Sequence, residues 1–493
     1  MNKLKILKYL LVVGIFAFVG CNDVLESPSP ATSVPGEQVL TSEEGVLSLR
    51  ASMYSRLRIF DYSTEYFIGP SAFADETRNR PGSTRFQGLN QANGNDGDTN
   101  GLSSYTTTYN IILDANLLIS GVQDGVLDQA TLNRYRGEAY AFRAMATHHL
   151  ARALSYEPDV EIDGWTEGIV LITEPTQDIA EVGPKPRASV SEVYSQILAD
   201  LSEAKNLLSG INSDNTFITE AFVDGLTARV NLYAGNWGAA NTAAGEAISN
   251  SGLALQDTEG GVAGMFDETD GAHPEAIFKL VVNPNTEALG VNNNYAGSNI
   301  NDGPAAYTAE QWSAQLPTNV VLDSYEAADY RLGWYAPCFD SFNGAAESDC
   351  ASVNDEGFEL QKFNGELGSL ADDLPYMRIA EMYLIQAEAA AKDAQSVAAG
   401  IAPLNTLREA RNASAVTAAQ FADLEDFEDF ILEERIRELV SEGHRYWDLK
   451  RLGRSIPNPD GSTKMRFDSY RILDNIGAGN ISSNPDLVEN PGY

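Results

Sequence analysis

Residues 431–454 read ILEERIRELVSEGHRYWDLKRLGR. Leu432, Ile436, Leu439 and Val440 fall at helical spacing and define one buried stripe. Glu433 stands four positions before Arg437, a pair that supports a helix from its solvent side. Gly443 is expected to end this helix. Tyr446, Trp447 and Leu449 begin a second, short one closed by Gly453. His444 lies near the expected C-terminus, where a cation is favoured. By its spacing alone the stretch is a helix–turn–helix packed on a core.

Working outward, the same texture recurs. Residues 378–411 hold an Ala-rich helix pair, and residues 233–248 (YAGNWGAANTAAGEAI) place Tyr233, Gly235, Trp237 and Ala240 in a pattern like that of tetratricopeptide repeats. Each pair has an apolar face that only a neighbouring pair covers. Trp237 and Trp447 are therefore expected in the core. Further helices are expected from Ser42 (a cap), over Tyr105–Ile119, from Leu127 to about Tyr156, over Ser189–Leu208 with Ser191 near its cap, and over Thr219–Tyr233. Residues 255–374 differ: helical periodicity fades, and Gly, Asn, Asp and aromatic residues rise. Only 276–283 (AIFKLVVN) reads as a strand. Long aromatic loops of this kind are more often functional than connective. Helical signal returns over 375–453, and 454–493 looks irregular. The fold class is mainly α, a tetratricopeptide-like helical scaffold with a loop-rich insertion.

The chain has 493 residues, 33 Lys+Arg and 70 Asp+Glu, for a net charge of −37. An apolar fraction of 43% supports a sizeable core. The charge argues against a nucleic-acid partner, since phosphate neutralisation needs a basic face. Three cysteines exclude a disulfide-dense scaffold and a four-cysteine zinc site. Lys3, Lys5 and Lys8 precede an apolar run, Tyr9 to Val19, and then Gly20 and Cys21. A basic start, a short apolar stretch and a small residue make a secretory signal over 1–20. Cys21 after that small residue resembles a lipobox, with Phe18 where such boxes usually carry Leu. Residues 21–40 then form the lipidated Cys and a Pro/Ser-rich tether. In an exported chain Cys338 and Cys350 are candidates for a disulfide, with two free thiols as the alternative.

Catalytic motifs are missing. HExxH, GxSxG and a P-loop do not occur. The four histidines are scattered, and His148 and His149, adjacent on a helix, face different directions. No cofactor is implied. Asp96, Asp98, Asn100 and Gly101 match the first half of a calcium loop, but its twelfth position is Thr107, where a bidentate Glu is required. A solvated turn accounts for the same residues.

The 431–454 stretch closely resembles the C-terminal signature of the SusD/RagB family of surface lipoproteins. RGEAYAFRAMATHHLARAL, LPTNVVLDSYEAADYRLGWY (316–335), MRIAEMYLIQAEAAAK, LNTLREARNA and the closing NPGY occur in the family's order. The resemblance covers the chain from Cys21 onward. It implies about four tetratricopeptide-like helix pairs and a loop-rich binding half. It divides the chain into a SusD-like N-terminal region over 41–254 and a RagB/SusD region over 255–493, the latter comprising insertion 255–374, helical signature 375–453 and tail 454–493. It also implies a place on the outer-membrane surface, beside a SusC-like TonB-dependent transporter, and capture of oligo- or polysaccharide without chemistry on it.

Sugar rings present apolar C–H faces and polar hydroxyls, so a binding site needs aromatic platforms beside Asp, Asn or Arg. Family members bring these from an early loop and from the insertion. Here the early loop offers Tyr66, Asp75, Arg78 and Arg80, and the insertion offers Tyr295, Asn301, Tyr307 and Trp312. Trp312 leads, because its neighbours are polar and no apolar stripe explains it. Trp334, Tyr335 and Phe342 are alternatives. Arg78, Arg80 and Arg85 suit the carboxylate or sulfate of an acidic glycan, or serve as ion-pair partners of Asp75, Glu76 and other acids. Two other functions fit the residues: a transporter lid without glycan affinity or serving peptides, and a glycosidase, which needs two carboxyls across a cleft.

Overall fold

The computed structural model describes residues 39–58, 66–80, 87–91, 102–175, 183–266, 273–281, 315–338, 351–355, 357–363 and 373–493. The expected signal sequence and Cys21 lie outside them. The principal helices are α1 (Glu43–Leu57), α2 (Tyr105–Asn116), α3 (Gln129–Leu154), α4 (Val190–Leu208), α5 (Glu220–Tyr233) and α6 (Trp237–Ser251). After the insertion come α7 (Ile379–Asp393), α8 (Val397–Ala410), α9 (Leu424–Leu439) and α10 (Arg445–Arg451). The mainly α expectation is met.

Caps explain several boundaries. Ser42 accepts from the Gly45 N–H at 3.1 Å. The α4 cap is Ser189 rather than Ser191. Its hydroxyl accepts from the Glu192 N–H, and Glu192 returns a carboxylate to the Ser189 N–H at 2.9 Å, a reciprocal pair that saturates two orphan donors. Helix α2 stops at Asn116 and passes into a π turn over Leu117–Gly121.

Consecutive helices pack on one another: α2 on α3, α3 on α4, α5 on α6, α6 on α7 and α7 on α8. Connections as short as residues 234–236 and 394–396 fold α5–α6 and α7–α8 into helical hairpins. Small residues set the spacing. Ala240, Ala243, Ala244 and Ala247 are buried along α6. A Cβ at Gly400 of α8 would lie 2.3 Å from the Ala387 carbonyl oxygen of α7. Helix α9 closes a second core against α7 and α8, with Leu384, Leu404, Phe427 and Ile431 inside.

Short antiparallel strand pairs punctuate the helices. They are β1 (Thr77–Asn79) with β3 (Gln315–Pro317), β2 (Ala276–Leu280) with β6 (Leu374–Arg378), β4 (Tyr335–Pro337) with β5 (Phe358–Leu360), and β7 (Ile456–Pro457) with β8 (Thr463–Met465). The expected strand at 276–283 is thus present as β2, ending at Leu280. The expected helical restart at 375 is corrected: residues 374–378 extend to pair with β2, and the helix begins at Ile379. The tail is mostly irregular, apart from β7, β8 and short turns of helix such as Ala478–Ser483.

The turn in the 431–454 stretch also departs from expectation. Helix α9 ends at Leu439, before Gly443, and the chain reverses through Ser441 (φ 61°) and Gly443 (φ 85°). Gly443 is needed for close approach as well, since a Cβ there would lie 2.1 Å from the Tyr66 carbonyl oxygen. His444 sits at the N-terminal boundary of α10, without a side-chain cap bond, instead of at the end of α9. Burial, then Arg435, Arg229 and other nearby cations, push its pKa well below the ordinary value, so it is a neutral core histidine. Trp447 is buried as expected, while Trp237 is only half-buried, with Lys392 4.9 Å from its ring centre.

The face of α9 opposite the apolar stripe is buried too. Glu434 meets Arg331 at 2.7 Å, Arg437 at 3.0 Å and also Arg408. One turn on, Glu438 meets Arg378 at 2.9 Å, Arg411 at 3.0 Å and Arg331 at 3.2 Å. Arg378 also binds Glu442 at 2.7 Å, and Arg411 binds Glu275 at 2.8 Å. Burial opposes ionisation of Glu434, but Arg331, Arg408 and Arg437 outweigh it and hold the carboxyl at about 2. The network ties α8, α9, β6 and the segment before β2 into one body.

Candidate functional site

The described residues assemble a polar frame where the early loop meets the insertion. The early segment runs through a buried turn of helix, Gly69–Phe73, into β1. Strand β3 pairs with it so that Thr77 faces Pro317, Arg78 faces Leu316 and Asn79 faces Gln315. Gln315 is the clamp. Its amide donates to Asn79 Oδ1 at 2.5 Å, and its carbonyl oxygen accepts from Thr77 Oγ1 at 3.0 Å and Asn90 Nδ2 at 3.3 Å. Asn90 closes the loop by donating to the Ala72 carbonyl at 2.7 Å and accepting from the Asn79 N–H at 2.7 Å. Beside it, Asn354 ties the Pro317 carbonyl (2.9 Å) to that of Phe358 (3.0 Å), joining β3 to β5. Buried amides satisfied on both sides fix a loop base firmly.

The 431–454 stretch holds this frame from behind. Arg445 of α10 donates two bonds to Asp75, at 2.8 and 2.9 Å. The Asp75 carbonyl accepts from Thr318 Oγ1 at 2.6 Å. Asp75 is therefore a buried anchor, not a ligand for a surface sugar. Arg80 is buried and pairs with buried Glu359 of β5 at 2.7 Å, the ion-pair alternative weighed from the sequence. Tyr66 is 5% exposed; its hydroxyl accepts from Arg229 at 2.8 Å, and its ring packs 5.0 Å from Tyr376 and 5.6 Å from His149. These three candidates present no platform to solvent. An acidic chain with buried arginines uses its early acids and aromatics to build the scaffold.

Arg78 is different. It is half-buried, its Nη1 donates to the carbonyls of Ala74 and Thr77 at 2.7 Å each, and its Nη2 has no protein partner among the described residues. Burial lowers its pKa against the pull of Asp75 and Asp460. Lys464 stands close by and donates to the Phe73 carbonyl at 2.5 Å. Burial and then the Arg78 charge push Lys464 down to about 6.

The insertion candidates Tyr295, Asn301, Tyr307 and Trp312 lie outside the described residues, as do Phe342 and Arg85 and the half-loop Asp96, Asp98 and Asn100. Trp334 is buried, donating to the Val262 carbonyl at 2.7 Å under the Lys362 ammonium, so it is core and not a platform. Tyr335 is half-buried, with its hydroxyl 2.9 Å from that of Tyr325. Cys338 is disulfide-bonded and buried; Cys350 lies outside the described residues. Among the described residues no cluster of three or more His, Cys, Asp or Glu could hold a metal. All four histidines are buried, and burial pushes each well below the ordinary range, so none is poised as a surface acid or base. Sequence reasoning missed Asn90, Asn354, Glu359 and Arg445. Arg445 and Glu359 meet partners far along the chain, 370 and 279 positions away, and Asn90 and Asn354 join the strands through Gln315 and Pro317, bonds that no local spacing signals.

The fold matches that of solved SusD superfamily structures. Two family models match the chain: one of the SusD family over residues 343–493, and one described as starch-binding, associating with the outer membrane, over residues 61–232. The chain belongs to the SusD/RagB family. It is 25% identical to SusD-like protein P38 of Formosa agariphila, over 98% of both chains. A SusD-like carbohydrate binding protein from Bacteroides vulgatus superposes with a TM-score of 0.73 at 23% identity, covering 90% of this chain and 96% of that one. A laminarin-binding SusD-like protein superposes at 0.69 with 22% identity, covering 92% and 100%. No described helix is long and apolar enough to cross a membrane.

Proposed function

We propose that this chain is a cell-surface lipoprotein that captures an oligo- or polysaccharide and delivers it to a SusC-like TonB-dependent transporter, without acting on the glycan. The observation that carries this reading is the β1–β3 frame. It gives a rigid, internally satisfied base to the loops that run from the early segment and the insertion, and the insertion carries Tyr295, Asn301, Tyr307 and, just before Gln315, Trp312. A segment bearing aromatic and amide side chains suits a ligand with both C–H faces and hydroxyls. The starch-binding description of one matching family and the laminarin-binding relative support the ligand class. Cys21 is the proposed lipid anchor. The buried, neutral histidines support a binding role over a catalytic one. The Nη2 of Arg78, without a protein partner among the described residues, favours a second reading in which the glycan bears a carboxylate or sulfate.

Affinity gels containing neutral or acidic polysaccharides test this, with Trp312→Ala alongside. Retardation by one polysaccharide, lost in the variant, is the expected result. Retardation only on acidic gels, weakened by Arg78→Ala, supports the second reading. No retardation on any gel overturns glycan capture in favour of a transporter lid, which co-purification of the transporter then tests.

A further inference from the structure

A cavity of about 300 Å³ opens elsewhere, between the first turns of α2, the extended segment at 170–172 and the C-terminal tail. It shares no residue with the β1–β3 frame. One wall is a pair of tyrosines, Tyr105 and Tyr109, one helical turn apart, with ring centres 4.7 Å apart and planes at 56°. The wall is pre-set, because the Tyr109 hydroxyl donates to the Val170 carbonyl at 3.0 Å. Val170 and Leu487, both buried, add apolar surface.

The opposite wall is the tail. Asn484 fixes it by pairing with the backbone of Lys185, accepting at 3.1 Å and donating at 2.8 Å. Asn480, which also lines the cavity, donates its amide N–H to the Ile476 carbonyl at 2.7 Å. Across from it, the Asn110 amide and the Thr106 hydroxyl have no protein partner among the described residues. Among the described residues no Asp, Glu, Lys or Arg lines the space.

We infer that this cavity is a second saccharide subsite, one that takes a single neutral pyranose ring. Tilted aromatic rings over an apolar floor suit the C–H face of a sugar, and free amide and hydroxyl groups at the rim suit its hydroxyls. A described lining of tyrosine, amide, hydroxyl and aliphatic groups offers a neutral ring more than a uronate, a sulfated sugar or a peptide terminus. The volume is at the lower end for small-ligand sites, enough for one ring. This subsite does not depend on whether the insertion loops bind glycan.

Saturation-transfer NMR on the full chain tests it, with the methyl pyranosides of glucose, galactose, mannose and glucuronate as probes. The expected result is transfer to at least one neutral methyl pyranoside and none to the glucuronide. Affinity should fall roughly tenfold in Tyr105→Ala, about the loss of one stacking contact. It should fall similarly in Ser483→Leu, which fills the cavity from an exposed rim position, and stay unchanged in Trp312→Ala. If Tyr105→Ala fails to fold, Ser483→Leu decides. Absence of transfer to every neutral probe overturns the subsite. So does transfer undiminished by the cavity variants, or transfer abolished only by Trp312→Ala, which would assign the sugar to the insertion.

Discussion

Arg378 is fully buried and touches Glu275, Glu438 and Glu442. Replacing it with Met would leave carboxylates of the network without their main counter-charge. The expected cost is about 3–5 kcal/mol, read as a lower urea midpoint, because an uncompensated buried charge is far more expensive than a lost surface pair. Lys at this position should rescue little, since a single ammonium cannot reproduce the planar fork that spans several carboxylates. Asp474 behaves in the opposite sense. Burial, partly offset by bonds from the N–H groups of Leu102 and Ser103, raises it to about 7. The native chain therefore keeps a proton there that the unfolded chain releases near the ordinary carboxylate pKa. That contribution is complete below about pH 4 and is lost as pH rises to about 7. Asp474→Asn should flatten the decline in melting temperature between pH 5 and 8 relative to the parent chain.

Helix pairs depend on small residues where backbones meet. A methyl at Gly400 would strike the Ala387 carbonyl at 2.3 Å and the Phe427 ring at 2.6 Å. Gly400→Ala should cost about 1–3 kcal/mol by overpacking, measured by chemical denaturation. Gly260, in the short helix Glu259–Ala263, has nothing within 4 Å of its would-be Cβ, so Gly260→Ala should be neutral or slightly stabilising. The contrast separates packing from helix propensity. At the start of α4, Ser189→Ala removes one half of a reciprocal cap and should cost about 1 kcal/mol. The elements themselves were legible in the sequence through their period and, at α1, α3, α4, α5 and α9, through side-chain caps. The misplaced boundaries are instructive. Residues 374–378 read as helix locally, yet pairing with β2 pulled them into a strand. His444 looked like the last turn of one helix and stands at the N-terminal boundary of the next, because Gly443 turns the chain against Tyr66.

At the scale of the molecule, two sets of carboxyls oppose each other. Glu434, Glu438 and Asp448 are held low by buried arginines, against the cost of their burial. Their stabilisation is present above about pH 4–5 and is lost as pH falls toward their folded values. Glu76, raised to about 8, and Asp474, raised to about 7, both by burial, withdraw stabilisation as pH rises. The melting temperature should therefore peak near pH 4–5 and fall on both sides, the acid limb more steeply in Asp474→Asn than the alkaline limb. A profile that rises steadily to pH 9 would contradict this assignment of the buried acids.

The sequence by itself determined the mainly α class, the places of the principal helices, the strand at β2 and the likeness to the SusD/RagB family. Those features rest on periodicity, caps and motif order, all encoded within a few residues. Only the tertiary structure decided which polar residues are inside. Asp75, Arg80 and Tyr66 look like surface ligands in sequence, yet their partners Arg445, Glu359 and Arg229 stand 370, 279 and 163 positions away. Burial of a charge requires a counter-charge at contact distance, and contact between distant segments is a property of packing rather than of local spacing. For the same reason the tyrosine-walled cavity had no sequence signal: Tyr105 and the tail become neighbours only once the chain has folded.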